Sequence, residues 1–220
     1  MDAPGDPAAF IRANTRLRPV AHAPEIRLHL ADEALPLWHR TEEELDTLGL
    51  PPPYWAFAWA GGQALARYIL DRPALVRDRR VLDLASGSGL VAIAAAKAGA
   101  ASVTAADIDP FALAAIALNA QANAVSLETT GADLLAPGAE PPPFDMLLVG
   151  DLFYERDTAA RAFAFCERAA AAGAAILIGD PGRTYLPRAR LIRLTEYNVP
   201  VTRELEDYEI KRTAVWALRP

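Results

Sequence analysis

Residues 81–89 place one carboxylate and two glycines at the end of a short apolar strand. Asp83 lies within the strand, and Gly87 and Gly89 lead directly into an alanine-rich helical stretch at residues 90–98. Glycines allow a tight turn and the close approach of a ligand, and the first turn of a helix offers unpaired N–H groups. In an open α/β sheet such a turn lies at the carboxyl end of a strand, where ligands bind. The segment therefore predicts a ligand-binding crevice.

The carboxylate of Asp83 restricts the kind of ligand that this turn could bind. A negative charge four residues before Gly87 would repel a pyrophosphate but would attract a cation. S-adenosylmethionine fits this requirement, because its tail carries both a sulfonium and an ammonium group. The third glycine of the dinucleotide-binding fingerprint is also absent, since Ala92 occupies its position. The alternative is that the two glycines serve packing alone.

Further acids stand near the ends of the next two predicted strands. Asp107 lies where nucleotide-binding folds place an acid that accepts hydrogen bonds from ribose hydroxyls. Asp109 competes for that role, although its position before Pro110 suits the capping of a helix. Asp133 follows the third strand and could accept a hydrogen bond from an adenine amino group. The alternative for Asp133 is that it closes a turn.

Asp151 and Tyr154 directly follow the fourth predicted strand. If this segment begins a helical turn, the acid and the phenol lie near one another and can face one small group that enters the crevice. Alternatively, Asp151 caps the next helix and Tyr154 packs in the core. Their position beside the expected ligand favours catalytic roles for both.

An aromatic and proline-rich segment, residues 51–62, precedes the crevice in the chain. Trp55, Phe57 and Trp59 occupy alternating positions along it. They are either core side chains, since aromatic rings bury large apolar areas, or at least one of them covers the crevice as a lid. The spacing alone does not decide between these two possibilities.

Composition excludes several classes of protein. The 220 residues are 52% hydrophobic and 23% charged, which suits one sizeable core. A formal charge of −6 leaves no overall basic face for a phosphate backbone, and this argues against a nucleic-acid partner. Cys166 is the single cysteine, so no intramolecular disulfide or cysteine-based metal cluster can form. His22, His29 and His39 lack the spacing of zinc ligands, and we expect no metal.

The sequence shows neither a targeting segment nor a membrane span. Its first residues are acidic and contain proline, unlike the basic and then apolar start of a secretion signal. Nearly apolar runs such as residues 91–96 are far shorter than the ~20 residues that a spanning helix requires. We therefore expect a soluble, cytoplasmic protein.

Beyond residue 80, short β-rich runs alternate with longer helical stretches, which is typical of a mostly parallel sheet covered on both faces. The predicted strands are residues 81–84, 102–106, 127–130, 144–150 and 174–178, and the predicted helices are residues 90–98, 110–123, 158–172 and 190–197. Residues 201–205 and 213–218 are predicted to pair as a hairpin that adds one antiparallel strand. The predicted fold is α/β and Rossmann-like, with seven strands.

The N-terminal part has a different pattern. We predict a helix at residues 10–17, a strand at 25–30, a helix that begins with a cap at Thr41, and a helix at 63–70. We accordingly divide the chain into an N-terminal extension with the aromatic segment, residues 1–62, and one domain, residues 63–220.

Several motifs carry a resemblance to a known family. Residues 83–89, 103–109 and 145–151 resemble the motifs of class I, seven-strand S-adenosylmethionine-dependent methyltransferases. The acid-x-x-Tyr sequence at residues 151–154, together with the aromatic residues 54–62, resembles the protein lysine methyltransferases of this class. Within that branch the chain is most similar to bacterial relatives of the enzymes that methylate the β-subunit of electron transfer flavoprotein.

This resemblance implies S-adenosylmethionine as cofactor, a lysine ε-amine as acceptor and the β-subunit of electron transfer flavoprotein as protein partner. It also implies roles for the site residues. Cofactor contacts would come from Trp59, Asp83, Gly87, Gly89, Asp107 and Asp133, Gly150 would line the pocket, and Asp151 and Tyr154 would lie at the acceptor. The chain departs from the family pattern at Ala85, where the first glycine is usual, and this could shift the methionine tail.

Other functions remain open from the residues alone. Methyltransferases that act on nucleic-acid adenine usually carry two prolines where Leu152 and Phe153 stand here. A small-molecule N-methyltransferase and a non-catalytic cofactor-binding module are further alternatives, although Tyr154 and the tryptophans argue against the second. A nicotinamide-dependent oxidoreductase is disfavoured by Asp83.

Overall fold

The computed structural model describes residues 6–31, 52–201 and 209–219. The helices are α1 (Pro7–Asn14), α2 (Ala60–Leu70), α3 (Leu90–Lys97), α4 (Pro110–Ala122) and α5 (Arg156–Ala171). The strands are β1 (Arg16–Val20), β2 (Ala23–Leu30), β3 (Arg80–Leu84), β4 (Ser102–Ala106), β5 (Glu128–Thr130), β6 (Met146–Gly150), β7 (Ala175–Asp180), β8 (Leu191–Pro200) and β9 (Ile210–Leu218). Short 3₁₀ helices cover Tyr54–Ala56, Pro73–Leu75 and Arg188–Arg190.

Seven strands form one sheet in the order β5-β4-β3-β6-β7-β9-β8. The first five in this order are parallel, and β9 runs antiparallel to both of its neighbours. The chain therefore extends from β3 to β5 on one side and from β6 to β7 on the other. Ligands bind where the direction of winding reverses in this way, outside the carboxyl ends of the strands. The predicted seven-stranded sheet with one antiparallel strand is confirmed.

Helices cover both faces of the sheet, and the side chains of each strand alternate between two apolar cores. Val81 and Leu148 pack in the core that contains α2 and α3. Leu82 and Val149 pack in the core that contains α5. This alternation follows from the two-residue period of a strand, and it turns Asp83 towards the α2 and α3 side. Cys166 lies in the α5 core, where burial raises the pKa of its thiol to about 12.

Between residues 60 and 180, the predicted elements agree with the observed ones to within three residues at each end. The largest difference is the start of α2 at Ala60, where Trp59 is the N-cap in an extended conformation. The helix α4 begins as its sequence predicts. Pro110 occupies the first turn, and the side chain of Asp109 accepts a hydrogen bond from the backbone N–H of Phe111 at 2.8 Å.

Residues 191–200 form the strand β8, so the helix predicted at residues 190–197 is wrong. The strand pairs with β9 from Leu191 opposite Leu218 to Pro200 opposite Ile210. The register shifts between Arg193 and Thr195, and this interrupts the alternation of inward and outward side chains. The partner of residues 213–218 is therefore β8, not residues 201–205 as predicted, and residues 202–205 lie outside the described residues.

The N-terminal part contributes α1 and a separate antiparallel hairpin of β1 and β2. The strand predicted at residues 25–30 is confirmed within β2. The helix predicted at residues 10–17 begins earlier, after a cap by Asp6, and ends at Asn14 because Thr15 is extended and the next residues enter β1. The helix predicted to begin at Thr41 lies outside the described residues, as does His39.

Candidate functional site

A cavity of about 530 Å³ lies at the carboxyl ends of β3, β4 and β6, beside the point where the winding of the sheet reverses. Its volume is in the range of small-molecule sites. The turn after β3, the aromatic segment and the start of α2 contribute to its wall. All of the predicted site residues line the cavity except Gly89; those that do are Trp59, Asp83, Gly87, Asp107, Asp133, Gly150, Asp151 and Tyr154.

The two glycines of the turn after β3 have different surroundings. Gly87 has φ +53°, and a Cβ added to it would meet no atom within 4 Å, so this part of the turn is open. Gly89 has φ +81°, and a Cβ there would lie 3.3 Å from Cγ1 of Ile116 on α4. Ala85 has φ +52° and thus adopts a conformation that glycine favours. Gly87 therefore leaves open space at the cavity, whereas Gly89 lies against α4.

Asp83 is 1% exposed at the base of this turn. Its Oδ2 accepts hydrogen bonds from the hydroxyl of Ser86 at 2.5 Å and from the backbone N–H of Ala92 at 3.0 Å. Burial raises the pKa of Asp83 to about 7, the charge of Asp107 adds to this effect, and the two hydrogen bonds oppose it. A cationic group of a ligand would favour the ionised form of Asp83.

Asp107 fixes the turn from the neighbouring strand. Its carboxylate accepts hydrogen bonds from the backbone N–H of Gly87 at 2.8 Å and of Asp109 at 3.0 Å. Burial raises the pKa of Asp107, and these hydrogen bonds oppose the rise. Asp109 is engaged as the cap of α4, so both acids already accept backbone hydrogen bonds, and the ribose contact of Asp107 stays a prediction.

Asp133, which follows β5, also lines the cavity. Its side chain closes a turn as well. Its Oδ1 accepts a hydrogen bond from the backbone N–H of Leu135 at 3.0 Å, and its Oδ2 lies 3.6 Å from Nη1 of Arg161. The turn-closing role expected as the alternative is therefore present in the structure. A carboxylate can accept several hydrogen bonds, so this role is compatible with a contact to a ligand.

Asp151 is buried at the end of β6 and does not cap the following helix. Its Oδ2 accepts a hydrogen bond from the backbone N–H of Gly61 at 2.7 Å, and its Oδ1 lies 2.6 Å from Nε of Arg183. The cap of α5 is Glu155, whose carboxylate accepts hydrogen bonds from the next turn. Asp151 has φ +57°, a conformation that aspartate tolerates better than most residues. This backbone turns its side chain towards Gly61 and Arg183.

Glycines allow α2 to approach the sheet closely enough to reach Asp151. A Cβ on Gly61 would collide with the carbonyl oxygen of Gly179 on β7 and lie 2.8 Å from the backbone nitrogen of Asp151. A Cβ on Gly150 would lie 3.1 Å from Cα of Gly62. The backbone N–H of Asp151 also donates to the carbonyl of Gly179 at 2.9 Å. The hydrogen bond from Gly61 to Asp151 therefore depends on this close backbone packing.

Aromatic side chains surround the end of the cavity that contains Asp151. Tyr54 is 42% exposed and Tyr154 is 45% exposed, and their ring centroids lie 5.7 Å apart. Nε1 of Trp59 donates a hydrogen bond to the carbonyl of Tyr54 at 2.9 Å. Burial raises the pKa of Tyr154 to about 12, so its phenol stays protonated at neutral pH. Tyr54 and Tyr154 thus form an accessible aromatic wall.

The alternating aromatic residues divide between the two roles considered for them. Trp55 and Phe57 are buried in a core cluster with Phe111 of α4, although both also line the cavity. Trp59 is half-buried, and its ring lies 5.9 Å from Cζ of Arg183. Trp55 and Phe57 therefore act as core residues, and Trp59 is the one positioned beside Arg183.

Asp180 stabilises the turn that carries Arg183. Its Oδ1 accepts hydrogen bonds from the backbone N–H groups of Gly182 at 2.6 Å and Arg183 at 2.7 Å, whereas its buried Oδ2 has no hydrogen-bond partner in the described residues. Burial raises the pKa of Asp180 to about 7, and the charge of Asp151 adds to this effect. The acid is therefore largely protonated below pH 7.

We expect this buried acid to make folding less favourable as pH rises. The pKa of Asp180 rises from 3.8 to about 7 on folding, so the native state keeps a proton that the unfolded state has lost between these values. From about pH 5 to pH 8 the free energy of unfolding of the wild type should fall by a few kcal/mol relative to that of Asp180→Asn, since one pKa unit corresponds to ~1.4 kcal/mol. Urea denaturation of the ligand-free proteins measures this difference, and parallel pH dependences would contradict it.

Sequence reasoning missed Arg183 and the glycine contact between α2 and β7. The turn Asp180-Pro181-Gly182 marks the end of β7, and a cation directly after a strand end is the signal that could have revealed Arg183. No local signal reveals that Gly61 meets Gly179, because the two residues are distant in the chain. Both features depend on β6 and β7 being neighbours in the sheet.

Within residues 6–31, 52–201 and 209–219, no group of three or more histidine, cysteine, aspartate or glutamate side chains is arranged to hold a metal ion. Over the same ranges, no helix combines the length and apolar character needed to cross a bilayer.

The chain is similar to known methyltransferases. The family model for ribosomal protein L11 methyltransferase (PrmA) matches residues 64–147. The chain is 37% identical to the electron transfer flavoprotein beta subunit lysine methyltransferase of Mus musculus over 96% of this chain and 84% of that protein. It is also 37% identical to the protein of the same name from Xenopus laevis, over 97% and 87% of the two chains.

Solved structures show a similar fold. Magnesium protoporphyrin IX methyltransferase (ChlM) from Synechocystis PCC 6803, determined with bound S-adenosylmethionine, matches with a TM-score of 0.52 and 15% sequence identity. The match covers 72% of this chain and 80% of that one. At this identity the likeness concerns the fold alone, and it agrees with the sheet order described above.

Proposed function

This chain belongs to the family of electron transfer flavoprotein beta subunit lysine methyltransferases, and from this premise we propose that it methylates a lysine of that flavoprotein subunit. Similarity to the mouse protein over 96% of this chain and 84% of its relative carries the proposal. The chain is a methyltransferase that acts on protein lysine and uses S-adenosylmethionine. The identity of its substrate protein is the part that requires a direct test.

The cavity suits S-adenosylmethionine. When bound, this cofactor supplies a methyl group on a cationic sulfur, whose bond to carbon breaks as the acceptor nitrogen forms the new bond. Asp83 and Asp107 provide negative charge at the end of the cavity where Gly87 leaves open space. We assign the methionine tail to Asp83 and Gly87, the ribose to Asp107, the adenine to Asp133, and further cofactor contacts to Trp59 and Gly150.

Replacing Asp107 with alanine should weaken the binding of S-adenosylmethionine about 10- to 100-fold, the loss expected for charge-assisted hydrogen bonds. Calorimetric titration measures the dissociation constant. Asp109→Ala is the matched control, because it removes the cap of α4 and should cost about 1 kcal/mol of stability with little change in affinity. If the Asp107 variant bound normally and the Asp109 variant did not, the ribose contact would belong to Asp109.

Asp151 and Tyr154 are the proposed acceptor residues. A lysine ε-amine has a pKa near ~10.4 in water and must lose a proton before its lone pair can react. The rings of Tyr54, Trp59 and Tyr154 would cover part of the lysine side chain, and this partial desolvation favours the neutral amine. Asp151 then accepts a hydrogen bond from the amine and holds it in line for the transfer.

Incubation of the purified protein with electron transfer flavoprotein and S-adenosylmethionine tests the proposed substrate. Peptide mass spectrometry should locate one or more methyl groups on a lysine of the β-subunit, and Asp151→Asn, which should methylate far more slowly, serves as the control. Ribosomal protein L11 is the alternative substrate to test, because the family model for L11 methyltransferase matches the central part of the chain. Methylation of a lysine of L11, without methylation of the flavoprotein, would contradict the proposed substrate but not the proposed methylation of lysine.

A further inference from the structure

Arg183 contacts the acceptor carboxylate directly and was not expected from the sequence. We propose that Arg183 is a positioning residue that cancels the charge of Asp151, so that this carboxylate orients a lysine amine without retaining its proton. This role rests on the proposed function, because it assumes that the group entering the acceptor end is a lysine. The proposed site then includes Arg183, from the turn after β7, in addition to Asp151 and Tyr154, which follow β6.

The geometry of the pair is well defined. Nε of Arg183 lies 2.6 Å from Oδ1 of Asp151, and their side chains are 22% and 4% exposed. Two hydrogen bonds to Asp180 fix the backbone of the turn that carries Arg183. On the other side, the Arg183 guanidinium lies 5.9 Å from the ring of Trp59. Arg183 is therefore held against Asp151 from two directions within a largely buried site.

A buried carboxylate without this partner would oppose the reaction. An opposite charge within a few ångströms shifts a pKa by ~1–3 units towards the charged form. Asp151 alone would thus stabilise the ε-ammonium and raise the pKa of the bound lysine, which must instead release its proton to solvent. The guanidinium of Arg183 adds a positive charge at nearly the same place, so the pair as a whole exerts little field on the amine.

Among the described residues, the other titratable groups whose charges act on Asp151 or on the neighbouring Tyr154 do not supply this compensation, and Arg161, which also lines the cavity, lies beside Asp133. Asp180 lies at the end of β7, Tyr154 and Glu155 follow β6, Asp107 ends β4, and Tyr54 belongs to the aromatic segment. Ionisation of any of these groups adds negative charge. Arg183 therefore acts with the opposite sign to all of them.

The pH dependence of turnover tests this role. The ascending limb of kcat against pH reports the deprotonation of the bound lysine. In Arg183→Gln this limb should move to higher pH by ~1 unit or more, so that kcat falls about 10-fold near neutral pH and recovers in alkaline solution. Arg183→Lys keeps the positive charge and should leave the limb near its wild-type position.

Two further variants extend the test. Arg190→Gln is the surface control, because Arg190 pairs with Glu167 outside the cavity, and its profile should match the wild type. The second comparison is between Asp151→Asn and the double variant Asp151→Asn/Arg183→Gln, both of which lack the buried carboxylate. Because neither leaves that carboxylate buried without its partner, this comparison applies even if Arg183→Gln alone does not fold. The limb of residual activity should lie at higher pH in the double variant, which lacks the guanidinium.

Each outcome has a defined meaning. Arg183→Gln could lose the same fraction of activity at every pH, or its ascending limb could shift by the same amount as that of Arg183→Lys. Either result would show a purely structural role and would overturn the inference about Arg183 but not the proposed function. Identical limbs in Asp151→Asn and the double variant would do the same. Failure of the wild type to methylate any lysine would instead overturn the proposed function, and the role of Arg183 with it.

Discussion

Asp151→Asn should reduce turnover at least ~100-fold, the scale expected when a reacting group loses its orientation. Asparagine keeps an oxygen that can accept the hydrogen bond from Gly61, so the fold around β6 is retained. It removes the negative charge beside Arg183 and presents an amide donor where the amine requires an acceptor. Affinity for S-adenosylmethionine should change little, because the residues assigned to the cofactor tail lie at β3 and β4.

Asp145→Asn is the matched control for this result. Asp145 precedes the same strand at its other end, where its carboxylate pairs with Arg80 at 2.6 Å on an exposed surface. Its replacement removes an aspartate–arginine pair of the same type but far from the cavity, and turnover should stay at the wild-type level. Steady-state kinetics with the flavoprotein substrate and calorimetry with the cofactor measure both variants. Normal turnover by Asp151→Asn would remove Asp151 from the acceptor site.

Gly61→Ala should lower the free energy of unfolding by about 3 kcal/mol or more, as expected for overpacking against backbone atoms. The added methyl group would collide with the carbonyl oxygen of Gly179, and neither backbone can move without separating α2 from β7. An alanine in a helix is ordinarily more stable than a glycine by ~1 kcal/mol. The expected sign is therefore opposite to that of helix propensity.

Gly62→Ala controls for propensity at the adjacent position. A Cβ there would lie 3.6 Å from Cδ2 of Leu90 and 3.8 Å from Cγ2 of Val91, which are ordinary van der Waals distances. Its stability should equal or slightly exceed that of the wild type in urea denaturation followed by circular dichroism. Equal urea midpoints for Gly61→Ala and Gly62→Ala would contradict this prediction. They would mean that the contact between Gly61 and β7 can relax with little loss of stability.

The parts of the fold that could be predicted are those specified by local pattern. A short apolar run that contains Asp83 marks β3, a continuous apolar run marks β6, and the glycine turn after β3 and the acids after β4 and β6 mark the edge where the cavity lies. Asp83, Gly87, Asp107 and Asp151 are predicted from these signals. Their roles in binding and transfer stay predictions, whereas their positions around one cavity are observed.

The features that could not be predicted depend on contacts between distant residues. Arg183 becomes part of the site only because β7 lies next to β6. At β8, the register shift near Leu194 breaks the two-residue period and places Leu191, Ile192 and Leu194 at a spacing that imitates a helix. Pairing with β9 outweighs that local pattern, because it buries Leu191 and Val199 in the two apolar cores of the sheet.

Adjacent glycines are commonly interpreted as hinges, and Gly61-Gly62 would be an obvious choice for one. Here the first of the two is clamped between β6 and β7, so rotation at this point would pull the amide of Gly61 away from Asp151. A movement of the segment that carries Tyr54 and Trp59 would therefore have to pivot before residue 60. Such a movement would leave the hydrogen bond between Gly61 and Asp151 in place.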